Sequence, residues 1–230
     1  MMHIQQQEMK YSNSIYVVGG KDNLFEYPLN SCTMDECVSY LQSIDLIGVD
    51  TETEGFDFTG KKLLMIQCGD KEKQFVIDYR VTSKEDMAKL KTVLEDASKT
   101  KILHNAKFDY KFLKFYCNIS LNNVYDTFLV EKILHCGKDD YGFALGKLTQ
   151  RYLGVTLNKE VRNRFVGQES SPFTVDQIVY GAKDVEYLID IYHKQQADID
   201  SKKLRSVVRL ENEAVVVFSE IEYEIGRAHV

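Results

Sequence analysis

The chain has 230 residues, of which 44% are hydrophobic and 28% are charged, and this composition excludes a disordered or collagen-like protein. The net charge is −6, from 29 basic and 35 acidic residues, which argues against a protein that coats nucleic acid by charge alone. The five cysteines are odd in number and lack C-x-x-C spacing, so neither a disulfide framework nor a zinc knuckle is expected, and a cytoplasmic location fits best. The polar N-terminus has no apolar signal-peptide core and no apolar run is as long as a membrane span, so no membrane partner is expected.

The first half of the chain is predicted to consist of strands and two helices. Short strands are predicted at 15–18 and 24–27, around a turn at Gly19-Gly20. The hydrophobic patterns then predict strands at 46–53, 62–69 and 74–79 and helices at 33–43 and 83–98. Thr33 or Asp35 can cap the first helix and Ser83 the second. The segment 55–62 suits a hairpin loop between the first two long strands.

Helices dominate the second half. The predicted elements are a strand at 101–104, helices at 105–116, 126–135 and 143–153, a polar loop at 154–172, a long helical region from about 175 and a helix at 199–224. Asn105 is expected to cap the helix that follows it. Strands come first and alternate with helices later, which indicates an α/β protein with a mixed sheet, an antiparallel meander followed by parallel strands, flanked by helices.

Two carboxylates lie close together near the end of the first long strand. Asp50 and Glu52 are two residues apart, and strand side chains alternate between faces, so both point to the same side of the sheet. Like charges on one face repel each other unless a cation lies between them, which is the reason to suspect a metal site. The same spacing recurs at Asp70/Glu72, so one such pair alone is more often a solvated strand end.

Two further pairs are spaced four residues apart on predicted helices, which puts their members on one helix face. Asn105 and Asp109 lie just after a strand, and their structural explanation is a helix cap and a surface acid. Tyr180 and Asp184 form the only Tyr-x-x-x-Asp of the chain, and a phenol beside a carboxylate can hold a water. Asp126 follows Asn122 at the same spacing, and we interpret it as a helix cap rather than a catalytic acid.

The conjunction of these three motifs carries more weight than any one of them. In an α/β domain the strand that bears Asp50 and Glu52 can converge with the helices that bear Asp109 and Asp184. Four carboxylates without paired histidine or cysteine suit Mg²⁺ or Mn²⁺ rather than zinc. Two such ions about 3.5–4 Å apart are a standard device for in-line phosphodiester displacement.

With these motifs in this order, the sequence resembles the DEDDy 3′–5′ exonucleases, which include the proofreading domains of family A DNA polymerases and ribonuclease D. The resemblance covers about residues 14–196. The segments that carry it are Val49–Thr53, His104–Asp109, Tyr152–Lys159 and Tyr180–Leu188. It implies a ribonuclease H-like fold and a 3′–5′ exonuclease that releases nucleoside 5′-monophosphates.

The resemblance also implies roles for individual residues. Asp50, Glu52 and Asp184 would hold the first of two divalent cations, Mg²⁺ or Mn²⁺, which activates the attacking water. Asp50 and Asp109 would help to hold the second, near the leaving oxygen. Tyr180 would orient the water.

The remaining roles concern the substrate. Another branch of the family has a histidine five residues before the last acid; here that residue is Val179, which indicates the tyrosine branch. Asn105 and Phe108 would contact the terminal nucleotides. Phe56 occupies the position of an apolar wedge at the last base step, and Thr53 would lie beside the terminal sugar.

Charge is unevenly distributed along the chain. Residues 99–114 contain five lysines and one acid, and residues 138–164 contain six basic and three acidic residues. Either segment could line a phosphate track, although a solvated helix face explains each individual lysine equally well.

The expected organisation has four parts. Residues 1–13 form a polar extension, 14–196 the exonuclease domain, 197–224 a helical junction to a missing domain, and 225–230 a non-native tail. The Glu-Asn-Glu sequence at 211–213 resembles the junction with the polymerase domain in family A polymerases, so a covalently linked polymerase domain is the expected partner.

The expected function is therefore proofreading hydrolysis at the single-stranded 3′ end of DNA, in a bacterial or viral replication context. One alternative is ribonuclease D-like processing of RNA 3′ ends, because contacts to the 2′-hydroxyl are not visible in the sequence. The other is a catalytically silent nucleic-acid-binding domain, and the presence of all four acids and Tyr180 weighs against it.

Overall fold

The computed structural model describes residues 13–19, 29–136, 138, 142–157 and 171–228. Within them, seven strands form one mixed sheet in the order β2-β1-β5-β4-β3-β6-β7. The strands are β1 (Ile15–Val18), β2 (Asn30–Cys32), β3 (Leu46–Thr53), β4 (Leu63–Gly69), β5 (Gln74–Asp78), β6 (Thr100–Leu103) and β7 (Val124–Asp126). This confirms the predicted α/β class with a mixed sheet.

The predicted meander is formed by β3, β4 and β5, which pair antiparallel. β6 continues the sheet parallel to β3, as predicted. β7 pairs parallel with β6 and was not predicted as a strand. The first strand adds a feature that was not predicted, because β1 pairs parallel with both β5 and β2. The strand expected at 24–27 lies outside the described residues.

The described helices are α1 (Met34–Ser43), α2 (Lys84–Leu94), α3 (Ala106–Cys117), α4 (Thr127–Leu134), α5 (Leu145–Leu148), α6 (Val175–Lys202) and α7 (Arg205–Arg227). A π-helical turn, Thr149–Leu153, extends α5, so the predicted helix at 143–153 is two short pieces. The expected helix at 199–224 is wrong at its start, because Lys203 adopts a left-handed φ of 57° and separates α6 from α7. The division expected at residue 196 falls inside α6. None of the described helices has the length and apolarity to cross a bilayer.

Local capping explains where the first helices begin. Thr33, rather than Asp35, caps α1: its hydroxyl accepts the N–H of Glu36, whose carboxylate accepts the N–H of Thr33. Ser83 caps α2 by accepting the N–H of Asp86 at 3.0 Å, as predicted.

The two faces of the sheet are covered by different helices. α1, α2 and α3 pack on one face, where Val49, Ile66 and Cys68 contribute to a large apolar cluster. α6 covers the other face, where Met65 of β4 and Ala182 of α6 belong to a second apolar cluster. Because successive strand residues alternate, Gly48, Asp50 and Glu52 all lie on the face that α6 covers.

Two glycines let α6 approach the sheet closely. A Cβ on Gly48 would lie 2.9 Å from the carbonyl oxygen of Val185, and a Cβ on Gly181 would lie 2.5 Å from Nε2 of Gln67. Side chains at either position would therefore push α6 outward. The close approach places the middle of α6 directly over the carboxylates of β3.

Candidate active site

The structure brings three of the predicted acids together at the end of β3. Asp50 and Glu52 extend from β3, and Asp184 reaches them from α6. One carboxylate oxygen of each lies within 4.8 Å of the other two. Asp50 is half-buried, Glu52 is 9% exposed and Asp184 is 4% exposed, so the cluster is largely shielded from water.

Such a cluster is electrostatically unfavourable without a cation. Three carboxylates at this separation repel one another, and burial removes the water that would screen them. Among the described residues, this is the one group of three or more possible metal ligands. Its donors are all carboxylate oxygens, which hard divalent cations such as Mg²⁺ prefer, so the residues fit a divalent cation.

The fourth acid, Asp109, approaches from the other side of β3. It lies in the first turn of α3, is 2% exposed, and accepts a hydrogen bond from the hydroxyl of Thr51 at 2.6 Å. Burial, followed by the charge of Asp50, raises the pKa of Asp109 well above its usual range. A cation beside Asp50 and Asp109 would favour the ionised form, which burial alone disfavours.

Tyr180 lies one helical turn before Asp184 on α6 and is half-buried. Its ring packs against the apolar cluster that contains Leu64 and Met65. The i,i+4 spacing puts its side chain on the same helix face as Asp184. The phenol is therefore held on the face of α6 that meets the three acids.

The expected capping role of Asn105 is wrong. Asn105 occupies the N-cap position of α3 with a left-handed φ of 66°, and its side chain makes no capping hydrogen bond. The carboxylate of Asp126 accepts the N–H groups of Asn105 and Ala106 instead, at 2.8 and 2.9 Å. Asp126 also caps α4, as predicted. Its second cap, at the start of α3, has no local signal in the sequence because it joins residues 20 and 21 positions apart.

Two aromatic residues of the predicted substrate site lie together. Phe56, in the hairpin loop between β3 and β4, is 83% exposed, and its ring lies 6.1 Å from that of Phe108 in an edge-on arrangement. Phe108 in turn packs 5.0 Å from Phe112. The hydroxyl of Thr53 forms a hydrogen bond within the hairpin, donating to the carbonyl oxygen of Gly55 at 2.7 Å.

The lysines of residues 99–114 do not form an open phosphate track. Lys107 and Lys111 both pair with Glu222 of α7, at 2.5 and 2.9 Å, and Lys114 pairs with Glu220 at 3.3 Å. Lys101 is fully buried and donates to the carbonyl oxygens of Asp96 and Lys99, and Lys99 itself lies 3.6 Å from Asp45. The local charge excess is therefore offset by acids distant in sequence. Most of the second basic segment, 138–164, lies outside the described residues.

Comparisons with known proteins show which family the sequence resembles. The family model described as 3′–5′ exonuclease matches residues 25–200. The DNA polymerase I of Aquifex aeolicus is 27% identical over 173 residues, which cover 75% of this chain and 27% of that protein. A ribonuclease D of Shewanella is 26% identical over 189 residues, which cover 82% of this chain and 45% of that protein. The chain thus spans less than half the length of either relative.

The fold is also shared with solved structures. Brucella melitensis NrnC bound to pGG superimposes with a TM-score of 0.71 at 21% identity, covering 92% of this chain and 94% of that one. Another structure of NrnC carries bound Mg²⁺. The family match spans well over half of the residues and includes all four acids and Tyr180. By that match, the chain belongs to the DEDD 3′–5′ exonuclease family.

Proposed function

We propose that this chain hydrolyses DNA from its 3′ end in a reaction that depends on two divalent cations, Mg²⁺ or Mn²⁺, and that it is the proofreading part of a family A DNA polymerase. The observation that carries the proposal is the convergence of Asp50, Glu52 and Asp184 within 4.8 Å, with Asp109 buried behind Thr51. A solvated strand end does not account for it, because Glu52, Asp109 and Asp184 are buried.

In this proposal Asp50, Glu52 and Asp184 hold one cation, and Asp50 and Asp109 help to hold the other. When bound, the two cations supply an activated water and stabilise the charge on the leaving oxygen. The chain's own groups do the rest. The phenol of Tyr180 orients the water, and burial of the acids keeps bulk water from screening their charge.

The substrate end would be gripped by the residues around the β3–β4 hairpin. Phe56 and Phe108 present adjoining ring surfaces on which an unpaired base can stack. Asn105, which is exposed at the start of α3, and Thr53 at the end of β3 would contact the terminal nucleotides. A grip on a few terminal nucleotides does not require a basic protein, which is consistent with the net charge of −6.

The polymerase context is supported by α7. One face of this helix packs on the domain through Val208, Asn212, Val215 and Ser219. The other face leaves large apolar side chains in water: Val207, Leu210, Val217, Phe218, Ile221 and Ile225 are each between 44% and 63% exposed. A surface of this kind marks a contact with another protein surface. We propose that it is covered by a polymerase domain in the same polypeptide.

The alternative is removal of nucleotides from RNA 3′ ends, which the similarity to ribonuclease D favours about as strongly as the similarity to DNA polymerase I favours DNA. The test is a direct competition between the two sugars. Single-stranded DNA and RNA of one sequence, labelled at the 5′ end, are incubated with the protein and Mg²⁺. Faster shortening of the DNA from its 3′ end supports proofreading, and faster shortening of the RNA supports the alternative. Products cut internally or from the 5′ end would contradict both.

A further inference from the structure

Asp126 accepts more backbone hydrogen bonds than the capping of one helix requires. It is 2% exposed, and its carboxylate accepts four backbone N–H groups. Oδ1 accepts those of Asn105, Phe128 and Leu129 at 2.8, 3.0 and 3.3 Å, and Oδ2 accepts that of Ala106 at 2.9 Å. One side chain therefore caps α4 and anchors the start of α3 at the same time.

This anchor fixes an unusual backbone conformation. Asn105 has φ 66° and ψ 54°, a left-handed conformation that costs a residue with a Cβ about 1 kcal/mol and that asparagine tolerates better than most residues. The two N–H groups that Asp126 accepts flank the Cα–C bond of Asn105, so the carboxylate holds this residue in place from within the protein. The side chain of Asn105 is left out of the cap and is exposed.

Asn105 lies near the acids of the proposed active site. β6 runs parallel to β3, so the turn after β6 lies at the same edge of the sheet as the acids at the end of β3. Asn105 also precedes Asp109 by one helical turn, so the peptide that Asp126 holds begins the helix carrying the fourth acid.

We propose that Asp126 is a positioning residue, which holds Asn105 in the orientation that binds the 3′-terminal nucleotides. The inference rests on the proposed function, because Asn105 is a substrate contact only within it. Asn212 of α7 completes the arrangement, since its Oδ1 accepts the N–H of Asp126 at 2.7 Å and its Nδ2 donates to the carbonyl oxygen of Val208. The C-terminal helix thus secures the residue that orients Asn105.

A double-mutant cycle separates this role from simple capping, because residues that act through one another have non-additive effects. The readout is the dissociation constant for 3′-labelled single-stranded DNA in EDTA, where turnover is suppressed. Asp126→Asn keeps the volume of the side chain but turns an amide donor toward one of the four N–H groups. We expect Asp126→Asn and Asn105→Ala each to raise the dissociation constant about 10-fold, the effect of losing about 1.4 kcal/mol. The double variant should bind no more weakly than Asn105→Ala alone.

Two controls account for lost stability. Ser83→Ala removes the cap of α2, a helix that carries none of the proposed site residues, and should cost about 1 kcal/mol of stability without changing DNA binding. Asp96→Asn makes the same chemical change at a half-buried carboxylate that accepts the N–H of Ser98 within a turn. Asn212→Ala is a milder test that leaves the Asp126 carboxylate in place, and it should weaken binding less than Asp126→Asn does.

If the dissociation constant of the double variant rose by the product of the two single increases, the two residues would act independently and the inference would be overturned. Unchanged binding in every folded variant would also overturn it. Absence of turnover by the wild-type protein in Mg²⁺, with the binding cycle still non-additive, would refute the proposed function and leave the positioning role standing. Absence of any binding by the wild-type protein would refute both.

Discussion

The hydroxyl of Thr51 donates to the buried carboxylate of Asp109 across 2.6 Å, from the middle of the Asp-Thr-Glu sequence whose two acids point the other way. Because side chains alternate along β3, this strand contributes site residues to both faces of the sheet. Asp50 and Glu52 face α6, and Thr51 between them reaches Asp109 on α3.

Thr51→Val should therefore impair catalysis without leaving a cavity in the core. Valine has nearly the same shape but cannot donate, and a hydrogen bond to a charged group contributes about 1.5–3 kcal/mol. We expect the Mg²⁺ concentration for half-maximal activity to rise at least about 10-fold, since an Asp109 that ionises less readily binds a cation less well. Thr51→Ser keeps the donor and should stay close to the wild type. Equal metal dependence of the valine and serine variants would show that this hydrogen bond has no such role.

Gly181→Ala should displace α6 from the sheet. The added Cβ would lie 2.5 Å from Nε2 of Gln67, a buried side chain with little room to move. Overpacking of this kind costs about 1–3 kcal/mol of stability, and moving α6 should also separate Asp184 from Asp50 and lower the rate. The matched control is Gly146→Ala, whose Cβ would lie no closer than 3.7 Å to its neighbours. Thermal unfolding and the rate are measured for both alanine variants. If both matched the wild type, the close approach of α6 at Gly181 would not position Asp184.

Phe56→Ala should weaken substrate binding and leave stability intact. The side chain is 83% exposed, so its loss changes the free energy of unfolding by about 0.5 kcal/mol or less. Stacking on an aromatic residue contributes about 1–3 kcal/mol per base, so KM for single-stranded DNA should rise about 10-fold. Phe58→Ala provides the opposite case. Phe58 is 7% exposed and packs against Phe112 and Tyr223, so its removal should cost about 3–5 kcal/mol of stability.

Glu222→Gln should release Lys107 and Lys111 at the start of α3. With their acid neutralised, these lysines become available to phosphates, so single-stranded DNA should bind about two- to fivefold more tightly at low salt and with a steeper salt dependence. Glu224→Gln is the control, since Glu224 pairs with Arg227 of its own helix. Affinity measured from low to high salt would contradict the prediction if the two variants behaved alike.

The long strands and the motif acids could be predicted from the sequence because their signals are local. β3 has the predicted bounds, and β4 and β5 differ by one residue each, since runs of apolar residues buried on both faces of the sheet indicate strands strongly. The pairs at Asp50/Glu52 and Tyr180/Asp184 follow from the strand and helix periods alone.

The parts that the sequence did not reveal depend on residues far apart along the chain. β2 consists of three residues, Asn-Ser-Cys, without an apolar pattern. It is extended because it pairs with β1. The cap of α3 comes from Asp126 rather than from the adjacent Asn105. The lysines of α3 are neutralised by Glu220 and Glu222, more than 100 residues away, which a local charge count cannot include.

The two-cation mechanism is tested by following the release of nucleoside 5′-monophosphate from 3′-labelled single-stranded DNA by the wild-type protein, Asp50→Ala and Tyr180→Phe. We predict Mg²⁺-dependent release by the wild type, none in the presence of chelator, none from Asp50→Ala and slow residual release from Tyr180→Phe. Asp50→Ala removes the acid shared by both proposed cation sites, whereas Tyr180→Phe removes only the hydroxyl that orients water. Release at the wild-type rate by Asp50→Ala, or release that chelator does not reduce, would rule out the two-cation mechanism at these acids.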